Sequence, residues 1–336
     1  MKVLFIGGTG TISAACSELA VQQGIDLYLL NRGNRSELVP KGACTITADI
    51  YNSAEVAKAL TGHFFDAIVD WIAFTPEHVE RDIELFAGKT RQYIFISSTS
   101  VYQKPSSLYK ITESTPLANP FWEYSRNKIA CEDRLLQEYR ENDFPVTIVR
   151  PSHTYGNSSI PWAFHGKSPW TIIDRMQKGK KIIVHGDGTS LWSLTHNSDF
   201  AKAFNGLLGN TQSIGHAFHI TSDEVLTWNQ ILQAIGRAAG VTPDIINISS
   251  NFIVNFHHDS KGTLLGDKAN SVVFDNTKIK TFVPDFVATT RFEEGIKQSI
   301  AWFEAHPEKC TPDTEWDALC DKIIAAYQQG LSLSQQ

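Results

Sequence analysis

Nowhere in the 336 residues does a run of about 18 apolar side chains occur that would cross a bilayer. The opening "MKVLFIGGTG" has only four apolar residues in a row before its glycines, too few for a secretory signal. A cytoplasmic protein with no membrane partner is therefore expected. Cysteine is scarce as well. The five present (Cys16, Cys44, Cys131, Cys310, Cys320) are odd in number and scattered, with no C-x-x-C pair and no histidine at metal-ligand spacing. That argues against a disulfide framework and against a metal site. Excess positive charge is also missing: 30 basic and 36 acidic residues, well mixed, leave a net charge of −6. No basic stripe exists to grip a phosphate backbone, so nucleic acid is not an expected partner. Internal repeats and low-complexity stretches are absent, and the polar tail "LSLSQQ" reads as frayed.

What is present is a rhythm. The chain is 42% hydrophobic, enough for a sizeable core. Aliphatic and β-branched runs ("KVLFIGG", "DLYLLNR", "CTITADI", "FDAIVDWIA", "QYIFISS", "VTIVRP") alternate with helix-like periods near 13–23, 54–60, 77–86 and around Tyr124. Strands that are apolar throughout and joined by helices imply a parallel sheet covered on both faces. The fold class is α/β: a doubly wound parallel sheet with a smaller C-terminal α/β lobe. The pattern assigns residues 1–155 to a dinucleotide-binding domain, with a return segment at about 181–214. Residues 156–180 and 215–306 form the substrate lobe, and 307–336 a helical tail. Beyond Pro151 a long loop, "SHTYGNSSIPWAFHGKSPW", is rich in serine, glycine, proline and aromatics, as loops bordering a site are. In the tail, Trp316, Leu319, Ile323, Ile324 and Tyr327 recur at helical spacing and predict a helix that covers core or a neighbouring subunit.

"FIGGTGTIS" follows the first strand and opens the first helix, the context in which a glycine pattern points to a dinucleotide. Gly7 permits the tight turn, Gly10 lets backbone approach a pyrophosphate, and Ser13 is a third small residue. Thr11 and Ile12 lie where free N–H groups welcome that charge. The second strand ends in Asn31 followed by Arg32 and Arg35, where a protein preferring NAD commonly offers a carboxylate to the ribose. A guanidinium suits a 2′-phosphate, so NADP is the preferred cofactor and NAD the alternative. Asp49 either accepts from the adenine amino group or caps the following helix. Ile50 and Pro151 complete the expected cofactor wall.

In "YSRNKIACE" Tyr124 and Lys128 stand four residues apart, on one helix face. Alone the pair is weak evidence. Taken with "GGTGTIS", "SSTSVY" and "RPSHTYG", in this order and at these spacings, it makes the chain resemble the extended short-chain dehydrogenase/reductase superfamily, in its NAD-dependent epimerase/dehydratase branch. The similarity covers about residues 1 to 305. It implies Ser98, Tyr124 and Lys128 as catalytic residues, with Lys128 also holding the nicotinamide ribose. A phenol of pKa about 10 is a poor base, and a nearby ammonium is expected to lower that value. Tyr124 then takes a proton from a substrate alcohol as hydride leaves, while Ser98 bonds the same oxygen.

Departures from the family pattern bear on the substrate. Relatives acting on nucleotide sugars carry one Arg in a "GDGxQxR" segment and another in "RPGD"; here Trp192 and Leu264 take those places. The expected substrate is therefore a sugar-like small molecule other than a typical nucleotide-diphosphate sugar. Candidate contacts are Ser98, His153, Trp162, His165 and Trp192, with Trp170 nearby; the tryptophans either face sugar rings or plug the lobe interface. A shortened stretch between "VDWIAF" and "YIFISS" resembles an atypical subgroup that includes chloroplast stem-loop RNA-binding proteins, in which the catalytic Tyr can be missing. A non-catalytic NAD(P)-binding sensor or RNA-binding protein is accordingly the alternative to an enzyme. A homodimer through the helix that bears Tyr124 is what the resemblance implies for assembly.

Overall fold

A computed structural model describes residues 1–333. The uninterrupted apolar runs become the strands Lys2–Ile6 (β1), Asp26–Asn31 (β2), Cys44–Thr47 (β3), Ala67–Asp70 (β4), Tyr93–Ile96 (β5) and Val146–Pro151 (β6), joined later by Ala217–Ile220 (β7). They form one sheet in the order β7-β6-β5-β4-β1-β2-β3, with every neighbouring pair parallel. Successive side chains point to opposite faces of a strand. In β1, Val3 and Phe5 pack with Cys16, Ala20, Phe200 and Phe204, while Leu4 and Ile6 pack with Val56, Val79, Ile83 and Leu135. A strand buried on both faces has no polar alternation to show, which is why these runs are apolar throughout. The order reverses between β1 and β4, and the crevice that this opens at the carboxyl ends of the strands positions the site.

Helix Glu123–Asn142 lies on this sheet with Ser125, Lys128, Cys131, Glu132 and Leu135 on its buried face, at the spacing of one helical stripe. It stops at Asp143, in the left-handed conformation with φ 56°. The lobe has its own core, in which Trp162, Phe164, Trp170, Ile173, Trp192 and Trp228 meet.

Three expected boundaries move, the first at β7, which was assigned to the lobe and instead forms the edge strand of the nucleotide sheet. Ile182–His185, read as part of the return to the nucleotide half, instead pairs with Ile245–Ile248 inside the lobe. The chain rejoins the nucleotide half at Leu194–His196, which pairs with His153–Tyr155, and continues through helix Asn197–Leu207 into β7. Ile279, Phe282, Val283 and Phe286, assigned to the lobe, also pack on the nucleotide half. An apolar run reports that it is buried, not which sheet buries it.

The C-terminal helix, Thr314–Leu333, buries Cys320, Ile323 and Ile324 against the lobe of its own chain. It is held there by the fully buried Arg175, whose guanidinium pairs with Asp317 and Asp321. It runs into the tail read as frayed, whose last three residues lie outside those described. Among the described residues no helix is long and apolar enough to cross a membrane, and no His, Cys, Asp and Glu group is placed to hold a metal.

Candidate active site

β1 ends at Ile6 and the chain turns at once, through Gly7 and Gly8 at φ +96° and +98°, a region that disfavours side chains. A Cβ on Gly8 would stand 2.7 Å from Leu29 Cδ2, whereas one on Gly10 would meet nothing closer than Ser13 Oγ at 3.4 Å. Gly8, not singled out from the sequence, is thus the glycine with least room. The Gly10 N–H donates to Ser13 Oγ at 2.9 Å, and Ser17 Oγ donates to the Gly8 carbonyl at 2.9 Å. Helix Ser13–Gln22 has no side-chain cap and no acidic residue in its first turn, so its positive end is left for an anion. Asn197, also missed, pins the far side of the loop by donating to the Thr11 carbonyl at 2.8 Å.

The turn opens into a cleft of about 730 Å³. Along its wall lie Gly7, Gly10, Thr11, Ile12, Asn31, Arg32, Arg35, Asp49, Ile50, Lys128 and Pro151, together with Tyr124. Asn31 spends its side-chain oxygen on a local turn, accepting from Gly33 N at 2.8 Å. Arg32 and Arg35 are exposed and have no ion-pair partner among the described residues. Asp49 accepts from Tyr51 N at 3.1 Å, and the cap of helix Ser53–Ala59 falls to Asn52, which removes one of the two roles left open for Asp49. Tyr51, Trp71 and Phe74 complete the wall; the sequence offers no signal for them beyond their position just after strand ends.

At the floor, Lys128 is 1% exposed, and its ammonium donates to the Ala73 carbonyl at 2.6 Å and the Ile96 carbonyl at 2.7 Å. It therefore ties the end of β5 to the loop that follows β4. Burial pushes its pKa down to about 8. The Tyr124 ring lies one helical turn earlier, 5.8 Å from that ammonium, between Trp122 at 5.0 Å and Phe74 at 6.5 Å. The expected lowering of the phenol's pKa does not occur. Burial pushes it up to about 12, the Ser98 hydroxyl draws it down, and the Asp267 and Cys131 charges raise it further. Two of the ammonium's three protons are committed to backbone carbonyls, and desolvation of a phenolate outweighs what remains. A phenol held there stays protonated at neutral pH, placed to donate a hydrogen bond to a substrate oxygen; taking a proton requires further positive charge beside it. Ser98 opens the turn Thr99–Val101, accepting from Ser100 N at 3.2 Å, and Ser125 Oγ donates to Ser100 Oγ at 2.7 Å to tie that turn to the Tyr124 helix.

The lobe side corrects the reading of the aromatics. Trp162 is 2% exposed and donates its Nε1–H to the Ile183 carbonyl at 3.0 Å, and Trp170 packs on Phe303. Both are core, because the long loop folds inward and its largest apolar faces have the most to gain from burial. Trp192 is buried too, 6.2 Å from Trp228. His165 is exposed and lines a second cavity of about 450 Å³ with His257 and Trp316, apart from the cofactor cleft. His153 is half-buried; desolvation and the Lys268 charge hold its pKa well below 6.5, so the ring is neutral and has both a donor and an acceptor to offer.

Three charged residues not anticipated stand here instead: Lys104, Asp267 and Lys268, at 3%, 7% and 6% exposure. The last two belong to a π-helical turn, Leu264–Lys268. Asn119 holds that turn by donating to the Gly266 carbonyl at 2.7 Å and the Ser100 carbonyl at 2.9 Å. Leu264 itself is fully buried.

The model of the NAD dependent epimerase/dehydratase family matches residues 3–221. The chain is 28% identical over 265 residues to the chloroplast stem-loop binding protein of 41 kDa b of Arabidopsis thaliana, spanning 73% of this chain and 65% of the plant protein, just under two thirds of it. It is 24% identical over 335 residues to the UDP-glucose 4-epimerase of Lactobacillus helveticus, spanning 92% of this chain and 98% of that enzyme. Among solved structures, UDP-glucuronic acid 4-epimerase of Bacillus cereus, in complex with UDP-glucuronic acid and NAD, superposes with a TM-score of 0.73 at 18% identity, over 91% of this chain and 99% of that one.

Proposed function

This chain belongs to the NAD dependent epimerase/dehydratase family, and on that premise we propose that it is an NAD(P)-dependent oxidoreductase or epimerase acting on a secondary alcohol or ketone of a sugar-like small molecule. One observation carries the reading: Tyr124, Lys128 and the glycine turn line one continuous cleft, with Ser98 beside the phenol. A dinucleotide fits the residues present. Gly7, Gly8 and Gly10 bring bare backbone to the cleft wall, the first helix starts uncapped, and two unpaired guanidiniums stand at the rim. When bound, the nicotinamide supplies the hydride acceptor and donor.

This chain's own residues manage the oxygen. Tyr124 carries its proton and Ser98 bonds it, while Lys128 fixes the floor on which both are set. Reduction of a ketone suits the resting state directly, since the phenol begins protonated. Epimerisation asks more: the phenol must first lose its own proton so as to take the alcohol's as hydride leaves, and then return it after the transient ketone has turned its other face.

Arg32 and Arg35, with no acidic residue at the end of β2, favour NADP over NAD. The buried Trp192 and Leu264 remove the two planar guanidinium forks that would grip a diphosphate, leaving only the point charges of Lys104 and Lys268 near Trp192, which favours a substrate lacking a nucleotide diphosphate. Mass spectrometry of small molecules released from the purified protein tests this: a retained nicotinamide dinucleotide and a non-nucleotide polyol are expected. Tight, saturable binding of UDP-glucose would overturn the substrate assignment, and failure to bind NADPH or NADH the whole reading.

A second reading, a cofactor-dependent RNA-binding protein, draws on the likeness to the plant stem-loop binding protein. The retained Ser98, Tyr124 and Lys128 and the net charge of −6 weigh against it.

A further inference from the structure

Lys104 is 3% exposed, yet its ammonium has no hydrogen bond and no ion pair among the described residues. It faces the Trp192 ring, 5.8 Å away, with the Asp267 and Lys268 charges also acting on it, and the Lys268 ammonium lies 6.0 Å from the same ring. Lys268 is paired with Asp267 at 3.3 Å and the same carboxylate's charge acts on Lys104, so two buried lysines stand against one carboxylate. Two further groups lack partners: the buried Nε1–H of Trp192 has no acceptor, and Asp267 Oδ1 has no donor. A core that had merely trapped a lysine would satisfy it with carbonyls, as it does for Lys128. Burying an unpartnered charge is costly unless something completes it.

The cluster borders the catalytic groups. Lys104 follows the Ser98 turn, anchored by its N–H to the Ala118 carbonyl at 2.8 Å. Gly266, beside Asp267, packs so tightly on Asn119, Phe121 and Trp122 that an added Cβ would lie 3.0 to 3.2 Å from them, immediately ahead of Tyr124. The Asp267 charge is felt at the phenol.

We infer that Lys104, Lys268 and Trp192 form an oxyanion subsite that takes a carboxylate or phosphate monoester carried by the substrate, with Asp267 accepting from a neighbouring hydroxyl. The ligand class is an acidic polyol: a sugar acid or a sugar phosphate. This rests on reading the cleft as a substrate site, and it names what that substrate carries. Two ammoniums beside one carboxylate suit a compact anion, held by charge-assisted bonds, with the unpartnered Trp192 Nε1–H as a further donor.

The test titrates the purified full chain, by calorimetry, with D-gluconate, inorganic phosphate and the uncharged polyol sorbitol, and in parallel with NADPH. At least one anion is expected to saturate, with sorbitol about tenfold weaker or worse. Saturation by gluconate alone marks a carboxylate ligand, by phosphate alone a phosphate ester. Lys104→Met should weaken the anion about tenfold or more, Lys104→Arg should retain it, and neither should alter NADPH affinity. Lys104→Met should also unfold at the same or a higher temperature, since it removes a buried charge without a partner; this separates a ligand-binding lysine from a structural one. If Lys268→Met, unlike Lys104→Met, is too unstable to assay, the Lys104 pair alone decides. No anion binding, equal binding of sorbitol, or a Lys104→Met protein that binds like the parent would overturn the inference. NADPH binding left intact in those cases means that the oxidoreductase reading stands; its loss in the parent protein with Lys104-dependent anion binding preserved would sink that reading instead.

Discussion

Lys128 and Lys104 are both almost wholly out of water, 1% and 3% exposed, and the regions around them treat an ammonium in opposite ways. At the floor of the cofactor cleft, the last carbonyl of β5 and that of Ala73, in the loop just after β4, both accept from Lys128. Beside the lobe, no carbonyl among the described residues accepts from the Lys104 ammonium, which faces the Trp192 ring and the Asp267 and Lys268 charges. The first arrangement is complete without a ligand; the second is not. The difference teaches that burial alone does not mark a functional lysine. A strand end and the loop beside it supply a ready acceptor set, so Lys128 follows from the fold, whereas a cation left unmatched in a loop-built wall is suited to an anionic ligand.

The comparison breaks first at Tyr124, which sits between the two regions. Tyr124→Phe should lower turnover on any substrate found by about a thousandfold or more while leaving NADPH affinity nearly unchanged, because it removes the proton and keeps the ring. A fully active variant would remove the phenol from the chemistry.

Next in size, Lys128→Met should cost about 2 to 3 kcal/mol in denaturant unfolding, since it strands two buried carbonyls. Lys104→Met should cost nothing. Equal losses in the two would erase the distinction drawn here.

The two regions also separate by pH. Lys128, lowered from an ordinary 10.5 to about 8, sheds its proton in the folded chain before the unfolded chain does. The unfolded state then binds more protons between those values, so this group makes stability rise with pH across that window. Tyr124 has the opposite sign: raised from 10.0 to about 12, it makes stability fall as pH climbs past 10.0. Denaturant midpoints measured against pH should lose the rise in Lys128→Met and the fall in Tyr124→Phe. Unchanged profiles in both would show that these residues do not titrate as their burial demands.

The smallest expected effect lies at the rim. Arg32→Ala should weaken NADPH about tenfold and leave NADH alone, as loss of one exposed phosphate contact would. Equal affinities for the two cofactors in the parent protein would take that role from Arg32.

Much of the nucleotide half was legible from the chain. Its strands are apolar throughout because both faces are covered, and its first turn needs glycines because the backbone enters the left-handed region within two residues of Ile6. Tyr124 and Lys128 were visible as a pair because i and i+4 share a helix face whatever the helix packs on. The lobe was far less legible. Trp162 and Trp170 have the composition of a sugar platform and the position of a core. Gly8 hid beside Gly7 because crowding by Leu29, a residue on the next strand, is not written locally. Lys104, Asp267 and Lys268 looked like ordinary surface charges, since nothing in "YQKPS" or "LLGDK" says that water will be excluded.

The sequence by itself determined the parallel sheet, the glycine turn and the Tyr124–Lys128 register, because each depends on backbone periodicity and local conformational limits. Tertiary structure alone decided which tryptophans are core, where the chain returns to its first half, and what each buried charge touches. Those are properties of surfaces that meet only when distant segments pack, and the energy of a charge is set by its partners rather than by its neighbours in the chain.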